Sequence, residues 1–490
     1  MKKTAFLTKL LCVLLVLMMI AAMAVSCHTE EDDASAATGD TSTTVPLEED
    51  TEFPEDGLND INFGESVRIV VSESQKGQVY QEEETDNVIN NAIYKRGVTV
   101  EDRLGLDITW IPMDATWNNN REIFFQHIQT TSETGQAYDA LCLYNLMPGA
   151  LAAKGLLENL ADTTYIDLTA PWWPEDLVNQ VLINDKLYSL VESSSKGTLM
   201  NIHGVFFNNR LINSYDLRSP YDMVEANEWT FENMIALVKG VGSDLNENGT
   251  KDKDDFFGVV TGTEAKLETW FFGMGYKYAT RNEAGELEFL MNDSEYMLSW
   301  IDEFVNASDS KDFWLWDKEG HTKAFFNEHA ILYMSAIRLV DNGVREGVEM
   351  DYGIVPVPKK DASQPKYITN VANSHDMWCV PLDAKDMDVS SAILECMASE
   401  SYRQIAPVYF DQCIKLRFAP DERLAEMYDL IRDSIVFDFC AIYSFALPQV
   451  PRTVLHATLK NPSGKPWTSE WQKIEGSMVG GFETILELYR

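Results

Sequence analysis

The chain has 490 residues, of which 45% are hydrophobic and 11% aromatic, enough for more than one large core. It carries 78 acidic and 39 basic residues, a formal net charge of −39. This balance argues against nucleic acid as a partner, because no excess of Lys and Arg is present to displace the counterions of a phosphate backbone.

The first 27 residues have the pattern of a secretory signal. Lysines near the start precede an apolar run from Leu10 that is shorter than the roughly 20 residues needed to span a bilayer. The segment ends in Ala24-Val25-Ser26-Cys27, which is similar to a bacterial lipobox, in which the cysteine becomes the acylated N-terminus. We therefore expect a signal peptide over 1–26, lipidation at Cys27, and a lipid-anchored protein on the extracellular face of the bacterial cytoplasmic membrane. An ordinary cleaved signal with a nearby cysteine is the alternative.

Residues 27–64 form a predicted linker. They are rich in Asp and Glu, contain no Lys or Arg, and have almost no large apolar residue before Phe53. Such a segment buries too little surface to offset the entropy of ordering, and its like charges extend it. We predict a disordered acidic tether.

From Ser66 onward, strand and helix patterns alternate. Buried strands are predicted at 67–71, 106–110 and 138–143, with helices at 87–104 and 119–132 between them. This alternation indicates an α/β fold with a parallel sheet, whose ligands sit beyond the carboxyl ends of the strands. Glu73, Tyr144 and Asn145 follow two of those ends and are candidate ligand contacts.

The pattern restarts near residue 200. A strand over 204–208 runs into a turn, and a helix follows Thr230 as its predicted N-cap. Further strands are predicted at 330–334 and 353–357, and helical patterns dominate after 385. About 425 residues of this kind are too many for one compact core and favour two or three domains.

Seven phrases of the sequence occur in the order typical of one family. The phrases are Gly105–Ile108, Tyr138–Leu141, Ala153–Leu160, Asp185–Leu190, Phe207–Leu211, Glu228–Glu232 and Tyr352–Pro358. Together they resemble the extracellular solute-binding lipoproteins of ABC importers, of the sugar-binding type similar to maltose-binding protein.

The resemblance implies a two-lobed periplasmic-binding-protein-like fold with a hinge and an interlobe cleft. Lobe 1 is expected to contain 65–193 and 334–400, and lobe 2 to contain 194–333 and 401–490. The lobes would close on a carbohydrate in the cleft, and an ABC transporter permease would recognise the closed, monomeric protein.

The family's layout adds further candidate contacts to those at the strand ends. Sugars are held by aromatic faces against their C–H surfaces and by carboxylates and amides on their hydroxyls. The residues at matching positions are Glu192, Trp270, Tyr276, Arg338, Asn373, His375, Trp378 and Tyr443. For the aromatic members a place in the core is the alternative, and for the charged members a structural ion pair across the hinge.

Residues Asp244–Asp255 have the ligand spacing of an EF-hand loop, in which several oxygens surround one hard cation. Gly249 stands at the tight turn, and Asp255 replaces the usual Glu at the last position, as in dockerin-type loops. The predicted ligands are Asp244, Asn246, Asn248, Thr250 through its carbonyl, Asp252 and Asp255. We expect a structural Ca²⁺ away from the solute, with a polar surface turn as the alternative.

Enzymatic motifs are not evident. The sequence contains no Gly-x-Ser-x-Gly, His-Glu-x-x-His or phosphate-binding glycine loop, so we expect no catalysis and no catalytic cofactor. The scattered cysteines after Cys27 lack metal-site spacing and favour buried free thiols. A cell-surface carbohydrate-active enzyme with two carboxylates and a calcium-dependent adhesion lipoprotein remain alternative functions.

Overall fold

Two mixed β-sheets flanked by helices form the body of the protein. The computed structural model describes residues 53–116, 120–134, 138–262, 265–315, 320–340, 351–410, 422–460 and 466–490. The strands are β1 (Glu65–Ser72), β2 (Leu106–Met113), β3 (Ala140–Tyr144), β4 (His203–Asn208), β5 (Phe257–Thr261), β6 (Ala279–Arg281), β7 (Leu287–Phe289), β8 (Phe313–Trp314), β9 (Ala330–Ala336), β10 (Tyr352–Val355), β11 (Thr369–Asn370), β12 (Asp376–Cys379) and β13 (Ile435–Val436).

Helices cover both sheets. They are α1 (Lys76–Val79), α2 (Val88–Leu104), α3 (Arg121–Thr134), α4 (Met147–Ala153), α5 (Glu175–Val181), α6 (Lys196–Met200), α7 (Asn209–Ser214), α8 (Pro220–Glu225), α9 (Phe231–Leu237), α10 (Ala265–Gly273), α11 (Ser294–Ser308), α12 (Gly320–Phe326), α13 (Met387–Glu400), α14 (Glu422–Arg432), α15 (Phe439–Ile442), α16 (Pro451–Lys460) and α17 (Trp467–Glu487). A 3₁₀ turn covers Leu290–Asn292, and a π-helical turn at Ser401–Ile405 continues α13.

The first sheet has the strand order β12-β3-β1-β2. β1 pairs in parallel with β2 and with β3, while β12 runs antiparallel to β3. The β-branched residues of β1 explain its central place, because Ile69, Val70 and Val71 have no exposed surface and pack on both faces. The three predicted strands of this half are confirmed, and the antiparallel β12 is an addition to the predicted parallel sheet.

The helix between β1 and β2 begins and ends at recognisable caps. The Asn87 side chain accepts a hydrogen bond from the Asn90 amide, and Gly105 follows the last turn with φ of 63°. A left-handed residue at this position favours glycine, which pays no Cβ penalty. The predicted end of the helix at Gly105 is therefore confirmed.

The second sheet has the order β10-β4-β9-β5-β8. β9 runs parallel to β5 and antiparallel to β4, and β4 pairs antiparallel with β10. Thr230 caps α9 by accepting a hydrogen bond from the Asn233 amide, as predicted.

Three passages of the chain connect the sheets. The first is the segment 192–202, named here the crossing, which leaves the first sheet after Leu190 bridges Trp378 and enters β4. The second leads from β10 in the second sheet to β12 in the first, and the third leads from α13 to α14, which packs on β10. The lobe boundaries given above stay predictions.

Residues 53–64, the last part of the predicted linker, contain side chains that are packed on the body. Leu58 is 1% exposed, and the Asp56 carboxylate is paired with Arg103 at 2.8 Å and with Arg403 at 2.7 Å. Burial favours the neutral acid, but hydrogen bonds from these two arginines hold the pKa of Asp56 well below its usual value. The acidic composition of the segment does not predict this contact, because the arginines that bind Asp56 are distant in sequence.

The signal peptide, Cys27 and the linker up to residue 52 lie outside the described residues. Within the described part of the chain, none of the helices combines the length and the apolar content required to cross a bilayer. Cys142, Cys379, Cys396 and Cys440 are free and buried, as predicted.

Candidate ligand-binding cleft

The carboxyl ends of the parallel strands mark one edge of each sheet. In the first sheet β1 ends at Ser72 and β3 at Tyr144, and the antiparallel β12 begins beside them at Asp376. In the second sheet β5 ends at Thr261 and β9 at Ala336, and β4 begins opposite Ala336 at His203. Ligands of α/β sheets bind beyond such ends, because loops rather than ladder hydrogen bonds occupy that edge.

Contacts around Asn201 join the two edges. On the first edge, Asn145 Nδ2 donates to Asn373 Oδ1 at 2.8 Å. The residue before Asn373 continues these contacts, because the Ala372 amide donates to the Asn201 carbonyl at 2.8 Å. On the second edge, Arg338 Nη1 donates to Asn201 Oδ1 at 2.5 Å. The crossing therefore lies between residues that both sheets contribute.

The crossing is closely packed against the first edge. Its helix α6 lies against α1, and a Cβ on Gly197 would collide with Asp376 Oδ1 and Gln78 Oε1. Asp376 Oδ1 also accepts a hydrogen bond from Ser195 Oγ at 3.2 Å. Glycine at 197 is thus required by close approach and not by its backbone angle.

A small cavity of about 30 Å³ lies at this junction. It is lined by Asn145, Glu268, Phe272, Asn370, Val371, Asn373, His375, Met377, Val436, Phe437, Asp438, Ala441 and Ile442. The Asn373 Nδ2 atom is buried and has no hydrogen-bond acceptor among the described residues. The cavity has room for a water molecule or two and not for a sugar ring.

Three titratable groups of the cavity are shifted toward their neutral forms. Burial raises the pKa of Glu268 to about 7 and that of Asp438 to about 6. Burial lowers the pKa of His375 to about 4. Asp438 has a structural role, since its carboxylate accepts hydrogen bonds from the amides of Tyr278, Ala279 and Ala441.

The second edge carries two cations, Lys266 and Arg338. Lys266 Nζ donates to the Tyr333 hydroxyl at 2.7 Å and lies 4.4 Å from the centre of that ring. Burial raises the pKa of Tyr333, but the Lys266 charge together with hydrogen bonds from Lys266, Thr322 and Ser335 lowers it overall. Both cations face the buried His203, whose pKa falls to about 3 through burial and through these two charges.

Several of the predicted contacts lie in the core instead of at the edges. Trp270 has no exposed surface, donates to Thr261 Oγ1 at 3.1 Å, and packs among phenylalanine rings. Trp378 is equally buried and donates to Glu192 Oε1 at 2.6 Å. Tyr443 hydrogen-bonds with Tyr489, and Tyr276 with Ser299.

Glu192 belongs to a buried ionic cluster at the start of the crossing. Its Oε1 lies 3.7 Å from Arg96 Nη1, and both side chains are 1% exposed. Burial raises the pKa of Glu192, Arg96 opposes this shift, and nearby Asp376 adds to it. This arrangement corresponds to the alternative given above for the charged candidates, a structural ion pair at the hinge.

The other candidates are distributed unevenly. Glu73 is half-exposed and paired with Lys76 at 2.6 Å. Tyr144 is buried, with its ring stacked on Phe445 at 6.4 Å between centroids. Asn145, Asn373 and His375 meet at the small cavity, and Arg338 lies at the second edge.

The predicted calcium loop closes through its own hydrogen bonds. Asp244 accepts from the amides of Asn248 and Gly249, and Asp252 accepts from the side-chain amides of Asn246 and Asn248. The Asp255 carboxylate is buried and accepts hydrogen bonds from the Leu245 and Asp252 amides. In the described ranges no group of three or more His, Cys, Asp or Glu side chains is placed to hold a metal ion.

A larger cavity of about 570 Å³ lies beside the crossing. It is lined by Pro171, Pro174, Glu175, Asp176, Asn179, Ser193, Ser194, Thr198, Leu199, Lys366, Tyr402, Ala406, Arg432, Asp433, Ile435 and Phe437. Phe437 separates it from the small cavity, since that residue lines both. Its volume falls within the range of ligand pockets, but none of its lining residues stands at the carboxyl end of a strand of the first or second sheet.

Sequence reasoning missed Lys266, Asn201, His203 and Tyr333. Gly262 directly after β5 was the available signal for Lys266, because a residue that follows a strand end and opens a helix lies at the ligand edge. The other three sit inside strands or the crossing, where sequence gives no indication of which neighbour they meet.

Comparisons with known proteins bear on the fold. No protein-family model matches the sequence, and no curated protein matches it. The structure is similar to a cyclo/maltodextrin-binding protein crystallised with maltotetraose, with a TM-score of 0.56 and 13% identity over 86% of this chain and 97% of the other. It is also similar to an ABC substrate-binding protein of Listeria monocytogenes in complex with cycloalternan, with a TM-score of 0.51 and 14% identity over 86% of this chain and 99% of the other.

Identities this low establish the fold alone. They confirm the fold expected from the sequence phrases, an α/β architecture of two lobes with a hinge and an interlobe cleft. The chain therefore has the fold of the substrate-binding proteins of ABC transporters.

Proposed function

We propose that the protein is a lipid-anchored extracellular solute-binding protein that captures a carbohydrate between its two lobes and delivers it to an ABC transporter permease. The observation that carries this proposal is the meeting of two carboxyl-end edges around Asn201. A solute held there contacts both lobes at once, so it stabilises whichever interlobe arrangement brings the edges together.

The chemistry of the edges suits a polyhydroxylated ligand. Amide groups of Asn145, Asn201 and Asn373 present both donors and acceptors, as sugar hydroxyls require. The partly exposed Phe445 ring, which stacks on the buried Tyr144 ring, supplies apolar surface for a sugar's C–H face. Both fold relatives described above were crystallised with oligosaccharides, which supports the same ligand class here.

Closure accounts for the small volume at the junction. The cavity of about 30 Å³ holds no sugar, so a sugar enters only when the edges move apart. The passages between the sheets, namely the crossing, the segment from β10 to β12 and the segment from α13 to α14, are the places where such a movement occurs.

The anchor and the calcium loop complete the proposal. A diacyl-type anchor on Cys27 holds the receptor near its permease, and a flexible tether raises the local concentration of one around the other. Calcium, when bound at Asp244–Asp252, stiffens a surface loop of lobe 2, with Asp244, Asn246, Asn248 and Asp252 as side-chain ligands. The protein acts as a monomer without catalytic chemistry.

Titration with a panel of oligosaccharides tests this function. Saturable binding, measured by calorimetry or by a rise in melting temperature, with the sugar recovered unchanged, is the expected result. Release of shortened sugars would identify a carbohydrate-active enzyme instead. Binding to cell-surface glycans only in the presence of calcium would identify an adhesion protein.

A further inference from the structure

Among the residues that the structure describes, the two cations of the second edge lack the carboxylate partners that several other cations of this protein have. Arg96, Arg103 and Arg403 each lie within 4 Å of a carboxylate. Lys266 and Arg338, in contrast, are not paired with any carboxylate of the described residues, although the chain has two acids for every base. Their hydrogen bonds go to a phenol and an amide, which are neutral groups.

Leaving these charges unpaired has a cost. Burial lowers the pKa of Arg338, which means that its surroundings disfavour the charged form. The neutral state of a guanidinium is not reached in proteins, so the charge stays in place. A site that retains a half-buried charge without a counterion in the described part of the chain is suited to an anion from outside.

The position of Lys266 and Arg338 in the fold also favours an anionic ligand. Both cations stand at the carboxyl ends of β5 and β9, the edge at which this fold receives its solute. Lys266 lies in the first turn of α10, where backbone amides add further positive potential. Tyr333, Thr322 and Asn201 surround them with groups that bind hydroxyls, and Thr322 Oγ1 is 2.9 Å from the Tyr333 hydroxyl.

We propose that the solute is an acidic carbohydrate whose carboxylate or sulfate group is bound by Lys266 and Arg338. This inference rests on the proposed function and names the substrate class of its cleft. The anion pairs with the two cations, while the amides of the first edge bind the hydroxyls of the remaining sugar.

Matched pairs of sugars test the proposal by calorimetric titration. One pair is a short oligogalacturonate and its neutral methyl ester; the other is a sulfated glycosaminoglycan disaccharide and its desulfated form. We expect one acidic member to bind about tenfold or more tightly than its neutral partner, and the preferred pair identifies the anionic group. Added salt should weaken that binding.

Variants assign the effect to the two cations. Lys266→Gln and Arg338→Gln should each reduce the preference for the acidic member by about tenfold, whereas Lys266→Arg should retain it. Lys239→Gln, at an exposed lysine shortly after α9, is the control and should change nothing. Melting curves of every variant establish that it is folded.

The outcomes separate this inference from the proposed function. Neutral sugars that bind as tightly as acidic ones would overturn the acidic ligand and leave the sugar receptor intact. An acidic preference that survives both glutamine variants would overturn the role of the two cations. Failure of every sugar to bind the folded protein would overturn the proposed function, and this inference with it.

Discussion

Arg96 ties three segments of the protein together, and its removal should be costly. The guanidinium is 3.7 Å from Glu192 at the crossing, donates to Ser401 Oγ at 3.1 Å in the π-helical turn, and also donates to the Val79 carbonyl of α1. We expect Arg96→Met to lower the free energy of unfolding by about 3–5 kcal/mol at neutral pH, because breaking a buried pair leaves an uncompensated carboxylate.

The loss of stability caused by Arg96→Met should be larger at high pH than at low pH. The pKa of Glu192 is raised in the fold, mainly by burial. An acid of this kind contributes most stability below its unfolded pKa and loses that contribution as the pH rises through its folded pKa. Removing Arg96 raises the pKa of Glu192 further, so the deficit should be largest above neutral pH and should shrink toward about pH 5, where Glu192 carries its proton.

Urea unfolding of the wild type and of Arg96→Met, at neutral pH and at about pH 5, measures this effect. Arg210→Met is the control, because Arg210 is 65% exposed and its pair with Glu328 should be worth about 1 kcal/mol or less. Adding Glu192→Gln to Arg96→Met should recover part of the loss, since the orphaned carboxylate is gone. A loss below about 1 kcal/mol at neutral pH, or an equal loss at both pH values, would refute the reasoning.

Three further predictions concern other parts of the chain. Asp56→Asn should destabilise the protein by roughly 3 kcal/mol at neutral pH. Because the pKa of Asp56 is lowered in the fold, this loss of stability should shrink in acid, as the wild-type carboxylate is protonated. Urea unfolding over a range of pH would detect the change. Trp270→Ala should lower the free energy of unfolding by about 3–5 kcal/mol, because it opens a cavity in the core. Trp270→Phe should leave the sugar affinity measured by calorimetry unchanged. A loss of affinity in that variant would show that Trp270 contacts the sugar. Millimolar calcium should raise the melting temperature of the wild type by a few degrees and leave that of Asp244→Ala unchanged, and an equal response of both would remove the loop as the binding site.

The fold could be predicted because its determinants are local. The β-branched run Val67–Val71 and the helix ending at Gly105 are set by propensities and caps of neighbouring residues, and the structure has both. The order of such elements along the chain then limits the topology to a few arrangements.

The site was less predictable because its determinants are distant in sequence. Trp270 and Trp378 have the residue type and position of stacking aromatics, yet aromatic type does not say whether a ring faces a cleft or a core. Glu192 is paired with Arg96 from a helix nearly a hundred residues earlier. The contact of Asp56 could not be predicted for the same reason, since only the fold brings its two arginines close.

A crystal structure with bound oligosaccharide would show where the solute is held. We predict a sugar between the two carboxyl-end edges, in contact with Asn145 or Asn373 on one side and with Lys266 or Arg338 on the other. A sugar seated instead in the cavity of about 570 Å³ between Glu175 and Arg432, with both edges untouched, would contradict this prediction.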